Sequence, residues 1–134
     1  MLALAAVTAS AAPAPVAERY ATRLTVVDHP KQKATVIEVT FTSTPAYMAR
    51  FSDEKRRLVI DVMDADVRGV PETFSRETGI VKSVLVQAFS SGATKTTRLL
   101  VALGAPGQAA ISVEGQRLVI RLEPESGPEP VPSA

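Results

Sequence analysis

The chain has 134 residues and carries 15 Lys and Arg against 14 Asp and Glu, a formal net charge of +1. A domain so near neutrality has no bulk field to draw it onto nucleic acid or an anionic membrane, and its length fits one ordinary domain. Hydrophobic residues make up 46% but aromatic ones only 4%, with no Trp and no Cys, which predicts an aliphatic core of packed sheets and excludes disulfides, thiolate zinc sites and cysteine nucleophiles.

Residues 1–17 are uncharged, and Met1-Leu2-Ala3-Leu4-Ala5-Ala6-Val7 leads into a small-residue cleavage candidate at Ala9-Ser10-Ala11. This is the pattern of a secretory signal without its basic start; an Ala/Pro-rich linker is the alternative. The stretch is too short and too weakly apolar to span a bilayer. Residues 1–21 are therefore read as a leader, and the folded domain is expected over 22–122.

Within 22–122 the apolar positions alternate with period two, the mark of half-buried strands. Leu24 and Val26 share one face of the first strand, and Ile37, Val39 and Phe41 share one face of the second. In the strand that begins at Arg57, the residues Leu58, Ile60 and Val62 point inward while Arg57, Val59 and Asp61 point outward. Asp28-His29-Pro30-Lys31 and Asp53-Glu54-Lys55-Arg56 supply polar turns between these strands. A long connection follows, from about Asp64 to Gly79, where Pro71-Glu72 is expected to open a short helical turn that Gly79 ends. Beyond it Val84, Val86 and Ala88 line the next strand, followed by Leu99, Val101 and Leu103, and finally Leu118, Ile120 and Leu122. Ser90-Ser91-Gly92-Ala93 and the tight pair Glu114-Gly115 are the turns of this half. From Glu123 onward four prolines, at 124, 128, 130 and 132, mark a Pro-rich linker over 123–134.

The second half repeats the first. Arg57-Leu58-Val59-Ile60-Asp61-Val62 returns as Arg117-Leu118-Val119-Ile120-Arg121-Leu122, and Thr35-Val36-Ile37 corresponds to Thr97-Arg98-Leu99. The offset drifts from 62 residues at Thr35 to 60 at Arg57, so the copies differ by small loop insertions. An internal duplication of this kind predicts an all-β sandwich of two similar four-stranded halves, because one half alone would leave its apolar face wet.

No catalytic or metal centre is legible. His29 is the one histidine and sits in a turn beside Pro30, and no serine has the Gly-flanked setting of a nucleophile elbow. Asp61, Asp64 and Asp66 cluster without the glycine and closing glutamate of a calcium loop. The reading is therefore not an enzyme, with no cofactor and no metal. The candidate contact surfaces are outward stripes: Arg57, Val59 and Asp61; their counterparts Arg117, Val119 and Arg121; and Arg98 and Leu100 with Leu85, Gln87 and Phe89. Exposed apolar residues among charges usually mark a contact surface, whereas arginines alone also serve to solvate a sheet.

The order of these elements resembles the AMIN domain. The likeness rests on the strands at 35–40, 57–62, 81–89, 97–103 and 115–122, and it covers essentially all of 22–122. It implies a non-catalytic β-sandwich module of Gram-negative periplasmic proteins. Such modules stand at the N-terminus of type IV pilus secretins (PilQ-type), the host this chain resembles most, and of N-acetylmuramoyl-L-alanine amidases. The implied partner is peptidoglycan, with other pilus or envelope proteins as further partners and an oligomeric host. Protein–protein docking in an envelope complex is the competing role. On that resemblance the candidate ligand-binding residues are Arg57, Asp61, Gln87, Phe89, Arg98, Arg117 and Arg121, with arginines pairing carboxylates and Gln87 bonding sugar hydroxyls or amides. Two departures break the duplication: Arg121 replaces the acid at Asp61, and Val36 stands where the second copy has Arg98.

Overall fold

A computed structural model describes residues 17–125; residues 1–16 and 126–134, where most of the expected leader (1–21) and linker (123–134) fall, lie outside the described residues, and Arg19 and Pro124 already belong to strands. Ten strands follow one another: β1 (Arg19–His29), β2 (Ala34–Phe41), β3 (Tyr47–Ser52), β4 (Arg57–Met63), β5 (Ala65–Val67), β6 (Thr73–Phe74), β7 (Val81–Ser91), β8 (Thr94–Leu103), β9 (Gly107–Glu114) and β10 (Arg117–Pro124). They form two five-stranded sheets, ordered β5-β1-β2-β10-β9 and β3-β4-β8-β7-β6. The all-β sandwich expected from the duplication is therefore present.

The halves are not the sheets. Each half contributes its first hairpin to one sheet and its second to the other, so β2 pairs with β10 and β4 with β8. The registers are related by a pseudo-twofold: Arg57 faces Ala102 and Val62 faces Thr97, while Arg117 faces Thr40 and Leu122 faces Thr35. The repeated segments thus pair with each other across the copies. Equivalent bulges interrupt both first strands, between Ala21 and Arg23 and between Val81 and Ser83; each bends its strand over the core. The drift in offset has a local cause. Four residues, Asp53 to Arg56, join β3 to β4, whereas two, Gly115 and Gln116, join β9 to β10, with Gly115 supplying the positive φ of 65° that this tight turn needs.

The core is aliphatic, as the composition requires. Ile37, Val39, Phe41, Leu58, Ile60 and Val62 meet Val84, Val86, Leu99, Val101, Leu118, Ile120 and Leu122, all at most 2% exposed. At roughly 25 cal/mol per Å² of apolar surface removed from water, this continuous layer is the dominant stabilising term. Each sheet is built from strands of both copies.

The long connection corrects one expectation. It contains no helical turn; it supplies β5, which pairs parallel to β1, and β6, which pairs antiparallel to β7. The Val86 N–H donates to the Glu72 carbonyl at 2.8 Å. An open sheet edge offers extended residues a ladder, whereas an isolated turn gains little for the dihedrals it fixes. Among the described residues the one helical turn, of 3-10 type, lies instead at Pro30–Gln32. Gly79 closes the connection with φ +58°, and an added Cβ there would stand 2.1 Å from Thr35 Oγ1. No helix among the described residues is long and apolar enough to cross a membrane.

Candidate binding face

Strand alternation sends Arg57, Val59 and Asp61 of β4 and Arg98 and Leu100 of β8 to the outer face of the second sheet. Leu85, Gln87 and Phe89 of β7 share it, because Asp61 faces Arg98, which faces Gln87, and Val59 faces Leu100, which faces Leu85. Five of the seven candidate residues are therefore together on one surface: Arg57, Asp61, Gln87, Phe89 and Arg98. Arg117 and Arg121 lie on the outer face of the other sheet, across the whole thickness of the sandwich. The separation follows from the interleaving of the copies.

A bidentate ion pair stands at the centre of the five-residue face. Arg98 donates from Nε to Asp61 Oδ1 at 2.7 Å and from Nη2 to Oδ2 at 3.0 Å. The pair is partly covered, with side chains 32% and 16% exposed for Arg98 and Asp61. The Arg98 hydrogen bond holds the Asp61 carboxyl below its ordinary value; partial burial opposes this, and the charges of Arg98 and then Arg50 add to it. The Arg98 pKa is raised by the same hydrogen bond, against the opposing effect of burial. The guanidinium also stands over the Phe89 ring, 5.2 Å from its centroid, so the pair fixes the ring by a cation–π contact.

Arg98 has thereby committed its Nε and Nη2 donors. Arg57 is exposed on this face, and β3 adds two residues the sequence reading did not single out: Met48, which faces Asp61, and Arg50, which faces Val59. Met48 is 66% exposed and Phe89 39%. Their signal was present in the alternation of Tyr47, Ala49 and Phe51 with Met48, Arg50 and Ser52, but a six-residue strand with one charge is a weak pattern. The resulting face combines apolar Met48, Leu85, Phe89 and Leu100 with three arginines and one aspartate.

The opposite face is a charge mesh. Arg117 pairs with Glu38 at 3.2 Å and Glu114 at 3.4 Å, and Arg121 with Glu123 at 3.0 Å; Arg121 Nη1 also donates to Gln32 Oε1 at 3.0 Å. The acidic cluster read near residue 61 is dispersed, since Asp61 is held by Arg98 and Asp66 pairs with Lys95 at 3.2 Å while accepting from the Val67 N–H. Among the described residues no three His, Cys, Asp or Glu side chains converge to hold a metal. His29 is exposed at the end of β1.

The chain is thus a duplicated β-sandwich that gathers five of the seven candidate residues on one outer sheet face. This chain belongs to the AMIN domain family, whose model matches residues 26–122. AMIN domains are in general non-catalytic modules that bind peptidoglycan and localise envelope proteins of Gram-negative bacteria. No curated protein matches the chain.

Proposed function

We propose that this chain is the periplasmic peptidoglycan-binding and localisation module of a type IV pilus secretin, and that it binds through the outer face of β3, β4, β8 and β7. The observation that carries this reading is the composition of that face. It holds an exposed Met48 and Phe89, an orienting Arg98–Asp61 pair, and the exposed arginines Arg50 and Arg57. Its basic excess suits the carboxylates of peptide stems, which arginine engages in planar bidentate geometry. Apolar shelves beside such donors suit sugar rings and lactyl groups. Each contact is weak, and several copies in an oligomeric host sum them.

Co-sedimentation of the domain with purified sacculi tests the proposal. Arg57→Ala and Phe89→Ala should each lower the pelleted fraction several-fold, while Arg117→Ala on the opposite face leaves it unchanged. Pelleting no greater than that of an unrelated β-sandwich overturns the reading. The apolar content of the same face also favours docking to another envelope protein. On that view Leu85→Ser and Leu100→Ser abolish partner capture and leave pelleting intact. The secretin host, rather than an amidase, rests on overall likeness alone, and fusion of this module to a secretin channel is the expected gene arrangement.

A further inference from the structure

Beyond the peptidoglycan reading, and bordering its face at Gln87 and Phe89, the geometry points to a β-strand docking groove along the edge of β7, suited to an extended segment of a partner protein that carries a basic residue. The groove has a volume of about 670 Å³ and runs between β5 and β7, with Val67, Val86 and Ala88 as apolar lining and Asp66, Glu72 and Lys95 around them.

Backbone register defines what the edge can accept. From Ser83 onward the odd-numbered residues of β7 bond to β8, and the Val86 N–H points the other way, to the Glu72 carbonyl. With no bulge beyond Ser83, the N–H and C=O groups of Ala88 and Ser90 also point away from β8. Among the described residues nothing bonds to them on that side. An unpaired edge of this kind is a template for another strand.

The chain already occupies the first part of this edge. β6 pairs with β7 at Leu85 and Val84, and the last bond of its ladder is the one from the Val86 N–H to the Glu72 carbonyl. On two of the other edges a side chain bonds one backbone group. On β5 the Val67 N–H is taken by Asp66 Oδ1 at 2.7 Å, and on β9 the Ile111 carbonyl accepts from the Tyr47 hydroxyl at 3.4 Å.

Charge selects the occupant. Lys95 is neutralised by Asp66, whereas the exposed Glu72 carboxylate has no ion-pair partner among the described residues. A strand continuing antiparallel from Ser90 toward Glu72 meets that carboxylate at its C-terminal end, where a Lys or Arg completes the pair. A regular ladder also demands α-linked L-residues of uniform pleat. The D-centres and γ-linked glutamate of a peptidoglycan stem fall out of register, so the edge favours a protein strand over a glycopeptide.

The probes are an acetylated, amidated hexapeptide Val-Ala-Val-Thr-Ala-Lys and its analogue ending in Glu, followed by amide NMR of the domain. Binding of the Lys peptide should slow amide exchange at Ala88 and Ser90 by about tenfold or more, and the Glu peptide should bind several-fold more weakly. Ala88→Pro removes only the outward N–H and should weaken binding about tenfold, whereas Val113→Pro on the β9 edge leaves it unchanged. If Ala88→Pro fails to fold, Glu72→Lys replaces it and should reverse the preference between the two peptides. Perturbations confined to β3, β9 or the outer face, or protection of Ala88 by a muropeptide and not by the Lys peptide, overturn the proposal.

Discussion

The two outer faces are built from equivalent strands in equivalent register, yet they have opposite characters. Where one has Asp61 facing Arg98, the other has Arg121 facing Val36. Leu100 corresponds to Glu38, Gln87 to Val27, Phe89 to His29 and Met48 to Ala110. One face is an apolar shelf organised by a single ion pair; on the other, Arg117 and Arg121 are already spent on Glu38, Glu114 and Glu123. Packing constrains the inward positions of both copies alike, because each must fill the same symmetric core, while the outward positions are free to diverge.

The largest effects should be the symmetric ones. Ile60 and Ile120 are equivalent and both fully buried, so Ile60→Ala and Ile120→Ala should each cost about 2–5 kcal/mol in denaturant unfolding. Costs that differ widely between the two would break the equivalence of the copies.

Next come two threonines that are equivalent in sequence and unequal in bonding. Thr35 Oγ1 donates to Asp28 Oδ1 at 3.3 Å and accepts from the Ile80 N–H at 3.2 Å. Thr97 is 0% exposed and its hydroxyl has no partner among the described residues, because Ala88 occupies the position that Asp28 holds beside Thr35. Thr35→Val should therefore cost about 1–3 kcal/mol by orphaning the Ile80 N–H. Thr97→Val should be neutral or stabilise by about 1 kcal/mol, since it removes an unsatisfied buried hydroxyl. Melting curves of the pair would sharpen the comparison, and equal losses would refute it.

The smallest effect concerns the ion pair. Asp61→Asn should cost about 1 kcal/mol at neutral pH, a value discounted for partial exposure. The Asp61 pKa lies below the ordinary 3.8 in the folded state, so the pair's contribution is fully present above that value. It is lost as pH falls through the lowered folded pKa. The gap in stability between wild type and Asp61→Asn should close in that acidic window; a gap unchanged down to the acid limit would show that the charge does not matter.

The alternation of Leu58, Ile60 and Val62, and its return at Leu118, Ile120 and Leu122, was enough to read two similar β halves and to orient their side chains. It also separated Arg57, Asp61 and Arg98 from the core. The helical turn expected at Pro71-Glu72 gives way to β6 because proline and glutamate favour a helical start only locally, while the β7 edge that captures Thr73 and Phe74 belongs to another part of the chain. Met48 and Arg50 were missed for a related reason: a short edge strand says little until its neighbour is known.

By itself, the sequence determined the strand periodicity, the duplication, the aliphatic core and the two departures from symmetry at Asp61/Arg121 and Arg98/Val36, since each is a property of local residue order. Only in the tertiary structure do the two departures meet, as the facing pairs Asp61–Arg98 and Arg121–Val36. Asp61 and Arg98 lie 37 residues apart in sequence yet face each other, because the copies exchange hairpins and β4 finds its partner in β8. Pairing between distant strands depends on the burial of both apolar faces at once, and no local pattern encodes it.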